Sequence, residues 1–193
     1  MIPVARVAEP PDFDAQVRQP GQHWLSRNPH VERPRDLWSP FRARLMEGFQ
    51  KRCGYTAMWD LNGTVDHFRS IKRDRSLAYE WSNYRYASQW LNSSKRAGEV
   101  LDPYEVGAGW FEVLLPSLQL VMTPKVPPEL RPLVEATLRT LPLVHDERVL
   151  RQRRAWYAEY QAGRLSLEGL RVMAPLIAAA VEKQTASGES STS

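Results

Sequence analysis

Acidic, imidazole and amide side chains follow one another in one stretch of the chain: Asp66, His67, Asn83 and Asn92. Carboxylate and amide oxygens suit a hard cation such as Mg²⁺, with Mn²⁺ as the alternative. An imidazole has a reference pKa near ~6.5, so a modest shift leaves it neutral and basic at cellular pH. These residue types could therefore supply a general base beside a site for a divalent cation.

The elements predicted around these residues form a compact ββα unit. Asn62-Gly63 is a strong signal for a two-residue hairpin turn, which predicts strands over residues 55–61 and 64–68 and places His67 on the returning strand. Residues 85–96 contain no glycine or proline and are predicted to form one helix. Helical spacing puts Asn92 and Lys95 on one face of it.

This arrangement resembles the HNH endonuclease family, the ββα-metal nucleases. The spacing matches the three signature positions, with fifteen residues between His67 and Asn83 and eight between Asn83 and Asn92. The segments that carry the resemblance are Asp66-His67-Phe68-Arg69, Trp81-Ser82-Asn83-Tyr84 and Asn92-Ser93-Ser94-Lys95. They look like the small standalone subgroup in which asparagine replaces the last histidine.

The resemblance implies roles for each residue. Asp66 and Asn92 would bind one metal ion, most fittingly Mg²⁺, and His67 would be the general base. Asn83 would fix the loop and orient His67 through a side-chain hydrogen bond, while Lys95 or a nearby arginine would meet a phosphate. The implied activity is metal-dependent hydrolysis of DNA, with RNA left open, and small proteins of this family often serve in defence against phage or mobile DNA.

Each of these residues also has a structural interpretation. A lone histidine often packs at the edge of a core, Asn92 could face solvent on its helix, and Asn83 could cap the helix that follows. The alternative function is therefore a catalytically degenerate HNH-fold protein that binds nucleic acid or a protein partner.

The single cysteine sets this chain apart from many HNH proteins, which brace the unit with a zinc site of four cysteines. Cys53 stands where a first zinc ligand would stand, but Thr56 and Trp90-Leu91 occupy the neighbourhoods of its partners. No four-cysteine site can form, so we predict no structural zinc and a unit held by apolar packing.

Positive charge is concentrated around the same stretch. The chain has a formal net charge of +4 and a pI of about 9.4. Between residues 69 and 96, seven basic residues stand against two acidic ones. Interleaved with aromatic residues, they predict a surface that contacts nucleic acid; the alternative is a solvated basic loop over an aromatic core. The basic residues are Arg69, Lys72, Arg73, Arg75, Arg85, Lys95 and Arg96.

The rest of the chain completes a predicted α+β fold with four segments. Residues 1–36 are rich in proline and predicted to form an extended arm. Residues 37–123 form the nuclease domain, which begins with a helix over 37–51 and ends with an added strand pair over 110–115 and 118–123. Residues 124–185 form a helical subdomain that begins at Pro127-Pro128, with a second helix over about 146–161 and a third capped by Ser166. Residues 186–193 are predicted to be a disordered tail.

Composition bounds the location and partners. Mean hydropathy is −0.49, and no apolar run approaches the length of a membrane span. The N-terminal residues do not have the pattern of a secretory signal, and one cysteine fits a reducing compartment. The expected location is the cytoplasm, with DNA as partner and no membrane, while the oligomeric state and an activating protein partner stay open.

Overall fold

The computed structural model describes residues 1–95 and 99–189. They combine helices with two small antiparallel sheets, which agrees with the predicted α+β class. The described residues form two compact units: residues 4–54 with 60–95, and residues 1–3 and 55–59 with 99–189. Within the described ranges, no helix is both long enough and apolar enough to cross a membrane.

The N-terminal segment of the first unit is helical where an extended arm was predicted. A π-helical turn over Asp14–Arg18 leads into α1, Gln19–Arg27. Phe13 and Val17 are fully buried, which anchors this segment to its unit. The prediction was wrong over this range because its one proline, Pro20, lies in the first turn of α1, a position that a helix tolerates.

The second helix is shorter than predicted. A 3₁₀ turn over Ser39–Phe41 continues as α2, Arg42–Gly48, and the chain then bends through positive φ angles at Gln50 and Lys51. The apolar residues Phe41, Leu45 and Phe49 are all buried. α2 packs against both strands of the sheet of this unit.

That sheet joins strands that are distant in sequence. β1, Thr64–His67, pairs antiparallel with β2, Tyr84–Ala87. The predicted hairpin about Asn62-Gly63 is therefore wrong, because Gly63 serves a close approach rather than a turn. Its N–H donates to the Tyr86 hydroxyl over 2.9 Å, and a Cβ at Gly63 would lie 2.5 Å from the Tyr86 ring.

The helix that follows β2 is also shorter than predicted. α3 covers Gln89–Ser94, since residues 85–87 of the predicted helix belong to β2 instead. The chain thus runs β1, a long loop, β2 and α3, and it retains the ββα order with a different first pairing. Arg96, which was assigned to this helix, lies outside the described residues.

The second unit contains the predicted strand pair. β3, Phe111–Leu114, pairs antiparallel with β4, Gln119–Met122. Its helices are α4, Arg131–Thr140, α5, Glu147–Gln161, α6, Leu167–Met173, and α7, Pro175–Glu189. α7 packs against both α6 and β3.

Capping residues explain where these helices begin. Asp146 accepts the N–H of Arg148 at the start of α5. Ser166 accepts the N–H of Gly169 at the start of α6, and this cap was predicted. The predicted third helix is two helices, because Pro175 lacks the N–H that a continuous helix would need. Residues 186–189 belong to α7 rather than to a disordered tail, and 190–193 lie outside the described residues.

Candidate functional site

His67 is the last residue of β1, and its ring is held on several sides. Its Nε2 lies 2.9 Å from the carbonyl oxygen of Ala78. The Tyr84 hydroxyl donates to the same oxygen over 2.7 Å. The Trp38 and Tyr84 rings make T-shaped contacts with the imidazole, at centroid distances of 4.6 and 5.0 Å. These contacts fix the orientation of the imidazole.

The hydrogen bond to Ala78 also determines the form of the imidazole. A carbonyl oxygen only accepts, so Nε2 of His67 carries the proton and Nδ1 of the neutral ring keeps its lone pair. Burial lowers the pKa of His67, although the bond to Ala78 and the charge of Asp66 act in the opposite direction. The side chain is therefore neutral at physiological pH and able to accept a proton at Nδ1.

Asn83 ties together the two ends of the loop between β1 and β2. Its amide oxygen accepts the N–H of Arg69 over 2.8 Å, and its amide nitrogen donates to the carbonyls of Arg69 and Leu77 over 3.1 and 3.2 Å. The imidazole bonds to Ala78 rather than to Asn83, which differs from the predicted contact. Asn83 therefore positions His67 indirectly, by holding the peptide next to Ala78.

Asp66 is buried in an ion pair with Lys95, the residue that follows α3. The Lys95 Nζ lies 3.1 Å from Oδ1 and 2.8 Å from Oδ2 of the carboxylate. The side chains are 6% and 2% exposed for Lys95 and Asp66. Lys95 also donates to the Phe68 carbonyl over 2.9 Å. Lys95 therefore differs from the prediction that it meets a phosphate, because its ammonium points inward and bonds the Asp66 carboxylate and a backbone carbonyl.

Asp66 and His67 lie among different neighbours although they are adjacent. Successive strand residues point to opposite faces, and β1 pairs Asp66 with Arg85 and His67 with Tyr84. The charges still act on each other, since Asp66 raises the pKa of His67 and Lys95 lowers it, both more weakly than burial does. The strand β1 ends at His67.

Asn92 brings an amide from α3 to β1. Its Nδ2 donates to the carbonyl oxygen of Val65 over 3.3 Å, which leaves Oδ1 as its accepting group. Asp66 and Asn92 thus offer oxygen donors from neighbouring elements. This is a donor set that suits Mg²⁺, which keeps several waters and needs only one or two carboxylates. The residues fit the ion chemically, but the Asp66 carboxylate already bonds the Lys95 ammonium.

A denser metal cluster does not occur elsewhere in the described part of the chain. Across residues 1–95 and 99–189, no group of three or more histidine, cysteine, aspartate or glutamate side chains could hold a metal ion. Cys53 is buried, and its sulfur accepts the N–H of Ser88 over 3.3 Å. This cysteine thus connects the chain before β1 to the start of α3.

The predicted nucleic-acid-binding residues divide into two groups. Arg69, Lys72 and Arg73 are exposed on the loop that follows His67. Arg75 and Arg85 differ from the prediction, because their guanidinium groups donate to backbone carbonyls of their own unit. Arg85 is only 2% exposed and lies over the Phe68 ring at 5.0 Å. The exposed positive charge near His67 therefore comes from the first group.

Sequence reasoning missed the residues that surround the imidazole. Trp38, Ala78 and Tyr84 carry no catalytic chemistry of their own: Trp38 and Tyr84 contact the imidazole through their rings, and Ala78 contacts it through its backbone carbonyl. Tyr84 could have been found only from the correct pairing of β1, since it lies directly opposite His67. No local pattern indicates that register.

Comparisons with protein-family models, with curated proteins and with solved structures found no match to this chain. Its function is therefore inferred from the chemistry and geometry of its own residues.

Proposed function

We propose that this chain is a metal-dependent endonuclease of the ββα-metal type that hydrolyses phosphodiester bonds in DNA. The observation that carries the proposal is the state of His67, which donates from Nε2 to the Ala78 carbonyl and keeps a basic Nδ1. Burial lowers its pKa, so the base is available without a change of pH. It lies on the first strand of a ββα arrangement that also carries Asp66 and Asn92.

In the proposed reaction, Nδ1 of His67 accepts a proton from water as the water oxygen attacks phosphorus. The bond from phosphorus to the leaving sugar oxygen breaks, and protonation of that oxygen completes a phosphomonoester and a free hydroxyl. Asp66 and Oδ1 of Asn92 would hold a divalent cation. Such an ion neutralises charge on the phosphate and the leaving oxygen. Asn83 and Ala78 keep the imidazole oriented throughout.

Binding of the nucleic acid is assigned to the exposed basic residues after β1. Arg69, Lys72 and Arg73 follow His67 closely and reach solvent. Contacts from such side chains to phosphates are independent of base sequence and weaken with salt. DNA is the proposed substrate, and RNA is tested in parallel because the base and the cation do not choose the sugar. A role in defence against phage or mobile DNA is proposed on the family resemblance alone.

One observation favours a second candidate, a catalytically inactive binding protein. The Asp66 carboxylate is bonded through both oxygens to Lys95, as in an ion pair that serves only the fold. In that case the exposed arginines would still bind nucleic acid, and no bond would be cut.

Cleavage of supercoiled plasmid by the purified chain separates the two candidates. We expect nicking or linearisation with Mg²⁺ or Mn²⁺ and none with EDTA. His67→Ala should reduce the rate by about 10²- to 10⁴-fold, the usual contribution of a general base. The matched control is His30→Ala, because His30 is exposed on the same unit.

Two outcomes would contradict the proposal. If wild type and His67→Ala are inert on plasmid and on RNA with either metal, while labelled DNA is still retarded in a gel, the binding protein is the correct function. If both variants cut at the same rate, His67 is not the base.

A further inference from the structure

We infer that the Lys95 ammonium competes with the divalent cation for Asp66, so that the cation enters the site only as the Lys95 side chain leaves it. The inference rests on the proposed function, because it concerns the same metal site. It adds a control step that the proposed reaction does not contain.

The first support is the way in which Lys95 uses the carboxylate. Its Nζ lies within 3.1 Å of both carboxylate oxygens. A third contact, at 2.9 Å, goes to the Phe68 carbonyl, and the His67 carbonyl lies at 3.4 Å. An ammonium has three N–H groups, and these acceptors are enough to use all of them. Lys95 therefore occupies the carboxylate from within the fold rather than awaiting a phosphate.

The second support is burial. The exposed fractions of the Lys95 and Asp66 side chains are 6% and 2%, so water screens little between them or between either group and a new charge. A divalent cation on the same carboxylate would meet the ammonium at short range, and two cations repel strongly in such surroundings. Simultaneous occupancy is therefore unfavourable.

The third support is that only the side chain has to move. The Lys95 backbone N–H caps the end of α3 by donating to the Leu91 carbonyl over 2.9 Å. The Lys95 ammonium lies over the Phe68 ring, whose centroid is 5.0 Å from Nζ. Rotation of the Lys95 side chain would release the carboxylate while α3 and Asn92 stay in place. The same rotation would also release the Lys95 ammonium, which would then lie beside the exposed Arg69.

Competition has a measurable consequence for metal affinity. The apparent dissociation constant is the intrinsic one divided by the fraction of molecules in which Lys95 has left Asp66. Removal of the ammonium should therefore tighten binding. If the released fraction is about a tenth, the gain is about tenfold.

The test is a titration of Mn²⁺ against the purified full chain, followed by electron paramagnetic resonance of the free ion. Lys95→Met keeps the length and apolar character of the stem but removes the charge, and we expect it to bind Mn²⁺ at least about tenfold more tightly than wild type. Asp66→Asn should lose the site. Lys125→Met makes the same change of net charge at an exposed lysine and should bind like wild type.

A second measurement uses the wild-type chain, since Lys95→Met removes the ammonium that faces the buried Asp66 carboxylate and can impair folding. Brief acylation of amines followed by mass spectrometry reports the accessibility of each lysine. We expect Lys95 to be protected without metal and to become reactive at saturating Mn²⁺, whereas exposed Lys125 reacts equally in both.

The outcomes separate failure of this inference from failure of the proposed function. If Mn²⁺ binds through Asp66 but Lys95→Met binds no more tightly and Lys95 stays protected at saturation, competition is wrong and the metal site stands. If neither wild type nor folded Lys95→Met binds Mn²⁺, the proposed metal-dependent function is wrong, and the inference is overturned with it.

Discussion

The two sheets have the same size but differ in the length of their connections and in the polarity of their buried residues. Each pairs four residues with four in antiparallel register. In the first sheet, the connection between β1 and β2 spans residues 68–83, and the paired residues Asp66 and Arg85 are buried polar groups. In the second sheet, residues 115–118 connect β3 to β4, and apolar Phe111 and Val113 are the buried members of β3.

The two sheets also differ in the contacts that hold their connections. The turn of the second sheet is closed by nearby atoms, such as the Ser117 hydroxyl, which donates to Leu114 over 3.3 Å. The loop of the first sheet is held by side chains inside it, chiefly Asn83. Buried polar groups are costly unless they are paired, so their concentration in one sheet marks it as the candidate site.

The largest difference should appear when one ion pair of each sheet is broken. Asp66→Ala leaves the Lys95 ammonium buried without its carboxylate, and we expect a loss of about 3–5 kcal/mol in the free energy of unfolding. Glu112 of β3 pairs with Lys183 on the surface, with side chains 36% and 70% exposed, so Glu112→Gln should cost less than about 1 kcal/mol. Urea denaturation of both variants gives the comparison, and equal losses would contradict it.

A smaller difference is expected at the two connections. Asn83→Ala removes three hydrogen bonds within the long loop, and at about 1 kcal/mol for each the loss in unfolding free energy should be roughly 3 kcal/mol. Cleavage should slow as well, because the Ala78 carbonyl is then less well held against His67. Ser117→Ala should cost less than about 1 kcal/mol and leave cleavage unchanged.

Denaturation and plasmid cleavage on the same preparations check this pair. An Asn83→Ala chain that is as stable as Ser117→Ala would show that the loop is held by other contacts. A destabilised Asn83→Ala chain with a wild-type cleavage rate would remove its assigned role in positioning His67.

The smallest expected effect is a dependence of stability on pH. Burial lowers the pKa of His67 below its ordinary value of 6.5, so the unfolded chain binds a proton more readily. The contribution of His67 to the free energy of unfolding is therefore fully present above about pH 6.5. It decreases as the pH drops below that value and stops decreasing below the folded-state pKa. The slope from this group cannot exceed about 1.4 kcal/mol per pH unit.

Urea denaturation in EDTA across this range, for wild type and His67→Gln, isolates the contribution of the histidine. The variant lacks the titrating group, so its stability should vary less with pH than that of wild type. Parallel curves for the two chains would show that the pKa of His67 is not lowered by the fold.

Local patterns predicted the second sheet and the helices after it better than the first sheet. The strands β3 and β4 and the cap Ser166 depend on residues within a few positions of one another. The pairing of β1 with β2 depends on contacts across the loop. Asn62-Gly63 indicated a nearer partner, but Gly63 is required where the Tyr86 ring approaches the backbone.

By itself, the sequence determined the inventory of the site: an acid beside an imidazole, amides at set distances along the chain, and excess positive charge in the same stretch. It also determined which helix faces are apolar. The tertiary structure alone decided that Lys95 bonds Asp66, that Ala78 holds His67, and that Arg69 rather than Arg85 reaches solvent. The residue types and their spacing indicate which groups can react. The partners of those groups depend on burial and on strand register, and both are set by contacts between distant parts of the chain.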